Sequence, residues 1–415
     1  MSFDNYNKIN QKTLKIEKLN YYMKQKYELL APVGNYPMLY SAIEAGTDAV
    51  YFGIKGFNMR EGARNFTIKD LPKIKEICEL KKVKRYLTLN TVVYDSELKK
   101  IETIIKKAKS YINAIICWDP SIIRLCQKYK VPIHISTQAS ISNKESAQYY
   151  KKLGATTLVL ARELNLKQIK QVSKIIRVEC FCHGAMCVAI SGRCFTSQFM
   201  QGYSANRGQC AHPCRRSWTV TDDSGKQLKL QNNKVMSAKD LCTLPFIEQM
   251  KKAGIQSFKI EGRNRSPEYV STVVKIYRKA LDKKLTPKEI EKSITELKKV
   301  YNRGFSSGFY FKMPTSDDFS YTENGEQTQH KEYVGRVKQY FSNLKAAQVI
   351  MHAGKIKLGD EVYLLNQEDA IKKIKLKSIK KNNRNVKTAK KGDEILIKLP
   401  TCKEGTDLYI IKENE

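Results

Sequence analysis

Six of the chain's 11 cysteines fall within ECFCHGAMCVAISGRCFTSQFMQGYSANRGQCAHPC, from Cys180 to Cys214, and Cys242 follows. Cysteines at this density need a chemical reason: disulfides, a metal, an iron–sulfur cluster or a nucleophile. The spacing is Cys187-x6-Cys194-x15-Cys210-x3-Cys214, with Cys242 in Asp240-Leu241-Cys242. A structural zinc site needs two close pairs, and Cys210/Cys214 is the one close pair. Four thiolates drawn from irregular loops suit a [4Fe–4S] cluster, whose ligand spacing is looser. Cys180 and Cys182 sit on a predicted strand and read as small packing residues. A cysteine nucleophile would need a histidine, and the chain has five: His134, His183, His212, His330 and His352. His183 is near in sequence, yet no third, orienting group accompanies it. No H-E-x-x-H motif is present, and the one literal G-x-S-x-G match, Gly304–Gly308, falls in the expected linker rather than at a strand-to-helix turn, so proteolysis has no visible machinery.

The N-terminal stretch MSFDNYNKINQKTLKIEKLNYYMKQKYELL is polar and lysine-rich, without the apolar segment and small-residue cleavage site of a secretory signal. No apolar run approaches the roughly 18 residues of a membrane span. A cytoplasmic location is expected, where thiols stay reduced and clustered cysteines serve metal or redox chemistry rather than disulfides. The 75 Lys and Arg against 41 Asp and Glu give a net charge of +34. That surplus points to a polyanionic partner, most simply nucleic acid.

The elements that must position these groups alternate. Strands are expected at Glu28–Pro32, Asp48–Gly53, Tyr86–Val93, Ala114–Trp118, Pro132–Thr137, Thr156–Leu160, Arg177–Phe181 and Ile255–Ile260. Helices are expected at Tyr36–Ala45, Leu71–Lys81, Ser146–Lys152 and Leu166–Ser173. Eight β-then-α units predict an α/β fold, a (β/α)8 TIM-like barrel, which takes about 250 residues. A doubly wound sheet is the alternative, but Pro32-Val33-Gly34-Asn35 lacks the glycine-rich phosphate loop that usually follows its first strand. The expected organisation is a basic extension 1–26, a barrel 27–265 with a cysteine-rich insertion 184–250, a helical segment and linker 266–329, and a small C-terminal β-barrel 330–415. The helices of the third part are placed at Pro267–Lys283 and Thr286–Arg303. Gly304–Gln329 reads as a linker or an extended wrap, and Lys372–Lys391 as a phosphate-facing or merely solvated loop.

Barrel enzymes keep their chemistry at the C-terminal ends of the strands. Here those ends carry Asn35, Asn58, Arg60, Arg64, Asn90, Gln138, Arg162, Glu163, His183 and the run Lys259–Arg265. Several cations converging on one mouth predict an anionic small ligand or a phosphate backbone. For each arginine the plain alternative is a salt bridge to Glu163 or Glu261.

The chain resembles the U32 "peptidase" family, whose members are largely RNA- and quinone-hydroxylation proteins. The matching residues are Leu30–Asn35, Asp48–Gly53, His183–Cys187, Ser191–Cys194, Arg207–Cys210 with Cys214-Arg215, Ser237–Cys242 and Lys259–Arg263. The likeness runs from about Tyr27 to Phe311 and extends to the terminal barrel. It implies a TIM-like barrel with a [4Fe–4S] cluster on Cys187, Cys194, Cys210 and either Cys242 or Cys214, with Cys242 preferred. It further implies a tRNA-modifying hydroxylase that makes 5-hydroxyuridine at wobble position 34, with prephenate as co-substrate. On that reading Arg64, Asn90, Gln138, Arg162, Glu163, Lys259 and Arg263 bind substrate, and His183 and Glu261 move protons. The family member acting on a cytidine of 23S rRNA is longer, and the quinone-pathway members are shorter. The family's older name leaves a collagenase-like peptidase as the alternative.

Overall fold

The computed structural model describes residues 27–414 except 63, 231–235 and 323–324; the extension 1–26 lies outside the described residues. Eight parallel strands close into a barrel: β1 (Glu28–Pro32), β2 (Ala49–Gly53), β3 (Lys84–Thr88), β4 (Ala114–Cys117), β5 (Ile133–Ile135), β6 (Ala155–Val159), β7 (Val178–Gly184) and β11 (Ser257–Ile260). β11 pairs with both β7 and β1, which closes the ring. Helices α1 (Tyr36–Glu44), α2 (Leu71–Leu80), α3 (Leu98–Ala108), α4 (Pro120–Lys128), α5 (Lys144–Lys152) and α6 (Leu166–Val172) connect the strands. Their apolar stripes cover the outer face of the barrel: Leu29, Phe52, Leu87, Ile115 and Phe258 are fully buried there. Asn35, at the end of β1, caps α1 by accepting from the Met38 amide at 3.0 Å, with Pro37 in the first turn.

Four of the expected strands, Tyr86–Val93, Ala114–Trp118, Pro132–Thr137 and Thr156–Leu160, run past the C-terminal ends of the observed ones. β3 stops at Thr88, and Leu89–Val93 leave the sheet to form part of the mouth. β7 runs further than expected, to Gly184, and contains a bulge: Lys259 opposes Phe181, but Ile260 opposes His183, so Cys182 is the extra residue. A single extra residue reverses the facing of everything beyond it. Phe181 therefore points into the barrel with Lys259, while His183 points outward with Ile260.

Between β7 and β11 lie α7 (Thr196–Gln201), the hairpin β8 (Trp218–Thr221) and β9 (Gln227–Leu230), β10 (Asp240–Cys242) and α8 (Ile247–Lys252). β10 pairs antiparallel with the end of β7, setting Cys242 against His183. After β11 come α9 (Pro267–Asp282) and α10 (Pro287–Lys298). α10 ends before the expected Arg303, whose side chain is buried on Asp240 at 3.0 Å. Gly304–Gln329 is a wrap: β12 (Phe305–Ser306) pairs with β10, and the Tyr310 hydroxyl donates to the Phe181 carbonyl at 2.6 Å.

The C-terminal part comprises β13 (Gln329–Phe341), β14 (Ala346–Met351), β15 (Lys355–Lys357), β16 (Glu361–Leu365), β17 (Lys372–Lys375), β18 (Ile379–Lys381), β19 (Arg384–Asn385), β20 (Thr388–Lys390), β21 (Glu394–Lys398) and β22 (Asp407–Glu413). Eight of these form one antiparallel sheet and β15 and β20 form a ribbon, and sheet and ribbon pack on a single apolar core. The lysine-dense stretch Lys372–Lys391 is not a loop. Leu376, Ile379 and Ala389 are buried in that core, so the lysines occupy the alternate, outward positions of short strands.

Candidate active site

A cavity opens at the C-terminal end of the barrel. Its floor is Tyr51, Thr88, Ile116, Val159 and Phe181, from inward positions of five strands, and its wall includes Met59, Arg60, Asn90, Gln138, Arg162, Cys187, Glu261 and Arg263. Glycines make the close approach possible. A Cβ on Gly53 would stand 2.5 Å from the Arg263 guanidinium, and one on Gly184, at φ +104°, would stand 2.5 Å from the Glu261 carbonyl.

Glu261 is the hub. Arg60 donates to its Oε1 through Nε at 3.2 Å and Nη2 at 3.0 Å. Burial works to raise the Glu261 carboxyl, but Arg60, Arg162 and Arg263 together bring it down to about 2. It is thus a fixed anion near neutral pH and holds no proton to give. Arg263 donates to Thr88 Oγ1 at 3.1 Å, and burial draws its guanidinium down to about 10. Arg162 lies 3.8 Å over the Phe181 ring and donates to the Ala185 carbonyl at 2.8 Å, while its Nε is buried without a partner. Lys259 lines the cavity, but its ammonium is spent on fully buried Glu179 at 2.7 Å. Four cations therefore meet two carboxylates, an excess of two positive charges. Asn90 accepts from the Met59 amide at 3.3 Å and faces Ser136, which also bonds Gln138.

Not every expected residue joins this set. Arg64 lies in a neighbouring groove, and Glu163 is exposed outside the cavity lining. His183, turned outward by the bulge, is packed among Tyr269, Tyr277 and Phe305, with Nδ1 3.4 Å from the Tyr277 hydroxyl. Burial holds it neutral, with a pKa of about 4. Arg60 takes the place at Glu261 that sequence reasoning left open among several arginines. Its separation from Glu261, 201 residues along the chain, gave no local signal.

The cysteine-rich insertion is anchored against the same mouth. Arg207 donates to Glu97 Oε2 at 2.8 Å and to the Val92 carbonyl at 2.6 Å, and the Glu61 amide donates to the Gly208 carbonyl at 3.0 Å. Cys187 lines the main cavity, and Cys210 lines an adjoining one with Tyr203 and His212. Cys214 lies within electrostatic reach of both Cys187 and Cys210; burial raises its thiol, and Arg215 opposes the rise. Cys194 donates its thiol to Thr196 Oγ1 at 3.3 Å. Cys242 lies elsewhere, buried beside Cys182 and receiving the Tyr277 hydroxyl at 3.7 Å. β10 carries Cys242 to the outer side of β7, behind the bulge, so of the two candidates for a fourth thiol Cys214 is the one within electrostatic reach of Cys187 and Cys210. Cys180 and Cys182 are buried in the outer core.

Among the described residues no three His, Cys, Asp or Glu side chains are gathered tightly enough to chelate a single metal ion. A four-iron cluster is larger, and its thiolates surround it without touching one another. The chemistry of the surroundings fits an anionic group of that kind. Arg215, Arg265 and Arg303 crowd one another around the single carboxylate of Asp240; burial, then Arg303 and Arg265, depresses the Arg215 guanidinium. Arg60 lies near Cys187, and Arg303 near Cys214. Residues 187–218 contain four arginines and no carboxylate. Thiols beside uncompensated buried cations match a cluster whose four thiolates would carry the missing negative charge.

The model of peptidase family U32 matches residues 34–320. A protein named "Collagenase" from Porphyromonas gingivalis strain W83 is 41% identical over 391 residues, covering 89% of this chain and 94% of that protein. "tRNA hydroxylation protein P1" of Bacillus subtilis is 34% identical, covering 83% of this chain and 84% of that protein. A 23S rRNA 5-hydroxycytidine synthase of Escherichia coli is 36% identical, over 62% of this chain and 39% of its own length.

Proposed function

Because the chain belongs to peptidase family U32, we propose that it is an RNA hydroxylase acting on wobble uridine 34 of tRNA, with prephenate as co-substrate and a [4Fe–4S] cluster on Cys187, Cys194, Cys210 and Cys214. The observation that carries this reading is that Cys187 lines the same cavity as Arg60, Arg162 and Arg263. One cavity thus serves a thiol-held group and a small anion together. Two positive charges in excess match a dicarboxylate, and Arg162 Nε is a buried donor still to be used. When bound, the cluster supplies electron-transfer capacity or a brace for the insertion. The chain's own residues bind and orient: Arg162 and Arg263 take the carboxylates, Arg60 and Glu261 hold each other in place, and Asn90 and Gln138 read polar atoms of the base. The extent of the likeness, 84% of the Bacillus protein's length against 39% of the rRNA enzyme's, favours tRNA over rRNA.

Peptide hydrolysis, suggested by the Porphyromonas relative's name, finds less support. Among the described residues no histidine side chain hydrogen-bonds a cysteine, serine or threonine. Mass spectrometry of tRNA from a strain lacking the gene tests the proposal: nucleosides derived from 5-hydroxyuridine should fall and return on complementation. Unchanged nucleosides in a strain also lacking any second hydroxylase would reject it. Iron content of anaerobically purified variants tests the ligand set, with loss expected for Cys214→Ser and retention for Cys242→Ser.

A further inference from the structure

A second groove lies between the barrel mouth and the C-terminal β domain. Arg64, Asn264 and Arg265 line it on the barrel side, and Lys331, Gln367 and Tyr409 on the other. Its one carboxylate, Asp407, is held by Arg336 at 2.7 Å. Arg64 is exposed and makes no ion pair among the described residues. The groove is continuous with the mouth. Arg263 lines both it and the main cavity, and Gly62 and Asn264 line both it and the cavity of Cys210.

A base placed in the main cavity is attached to a chain whose phosphates must leave by an open path with positive charge. From this continuity we infer that the interdomain groove is the track for the RNA backbone beside the reacting nucleotide, with Arg64 as its principal phosphate contact and the C-terminal domain as its second wall. The inference rests on the proposed RNA substrate. It gives a part to Arg64, which lies outside the cavity where the small anion would bind. A single-stranded segment fits better than a duplex, because the base must be free to enter the barrel.

The test uses the full, cluster-loaded chain and a tRNA anticodon stem-loop, with affinity measured against salt concentration. Arg64→Ala should weaken binding about tenfold, as expected for one charged hydrogen bond lost, and lower the log–log salt slope by about 0.7, the value for one phosphate contact on a single strand. Gln367→Lys, which adds a cation to the opposite wall without removing any contact, should tighten binding and steepen the slope. Lys81→Glu, on the opposite face of the barrel, should change neither. If the wild-type chain binds and modifies tRNA but Arg64→Ala and Gln367→Lys keep its affinity and slope, the track is wrong and the proposed function stands. Equal losses for Arg64→Ala and Lys81→Glu would mean that only total charge matters, and would also overturn the track. Absence of tRNA binding by the wild-type chain would remove both the track and the function.

Discussion

The barrel interior contains two ionic layers that look alike in composition and differ in completeness. In the lower one Glu28 receives Lys84 at 2.9 Å, Arg177 at 3.1 Å, the Tyr86 hydroxyl at 2.9 Å and the Ser257 hydroxyl at 3.0 Å, while Glu179 receives Lys259. Glu28 is met from β3, from β11 and from the residue before β7, and Glu179 from β11 alone. In the upper layer Arg60, Arg162 and Arg263 share one carboxylate; each layer holds a guanidinium nitrogen buried without a hydrogen-bond acceptor, Arg162 Nε above and Arg177 Nη2 below, the latter ion-paired with Glu28. The lower layer sets three cations against two carboxylates and the upper layer three against one, so the upper layer has the greater charge left over, which is what a binding site needs. Buried charge alone does not separate the two roles, whereas the balance of partners does.

Substitutions should separate the layers. Glu179→Gln leaves the Lys259 ammonium buried without a counter-charge and should destabilise by about 3–5 kcal/mol, read from chemical denaturation. A loss below about 1 kcal/mol would show that the lower layer is dispensable. Acid should act on both. Burial would raise the Glu28 carboxyl, but Arg177 and Lys84 bring it to about 2, as the arginines do for Glu261. Folded values below the ordinary 4.5 mean that the stabilisation is complete above pH 4.5 and is lost as pH falls towards 2. On the order of 3 kcal/mol per carboxylate is involved, and urea titrations across that window should show the decline.

Arg162→Ala should weaken binding of a small dicarboxylate by roughly 10–100-fold, or about 1.5–3 kcal/mol, while unfolding shifts little. Calorimetry with prephenate reads the first and thermal melting the second; a melt as damaged as that of Glu179→Gln would erase the distinction between the layers. The smallest effect should come from Lys84→Met, because that ammonium is half exposed. About 1 kcal/mol or less is expected, and a larger value in a denaturation curve would mean that the rim of the lower layer matters as much as its centre.

Alternation of apolar strands with amphipathic helices made the barrel legible, because both signals are local. The mouth was legible as a collection of polar strand ends, and Asn90, Gln138, Arg162, Lys259, Glu261 and Arg263 do line one cavity. Pairing was not legible. Whether Lys259 is free or spent on Glu179 depends on the parallel register of β11 and β7, in which Lys259 stands opposite Phe181 two residues beyond Glu179, and nothing near either residue announces it. The same bulge explains His183: a strict two-residue period would aim it at the cavity with Phe181, and one inserted residue aims it at Tyr277 instead. Cys242 was preferred over Cys214 on the resemblance alone; the side of β7 on which β10 lies favours Cys214 instead, and no local signal carries that. The lysines of Lys372–Lys391 hid a strand period because their apolar partners are sparse.

The wrap after α10 has a consequence in time. β12 pairs with β10, Arg303 is buried on Asp240, and Tyr310 is fastened to Phe181, so the cysteine segment is braced by residues made after it. At about 5–20 residues per second, roughly 6–25 s separate the synthesis of Cys187 from that of Tyr310. During that interval the nascent chain has its thiols but not their lock. On the proposed function, this is when iron can enter with the least resistance, and a chain interrupted in α10 would carry every cysteine proposed for the cluster and still lack a finished site.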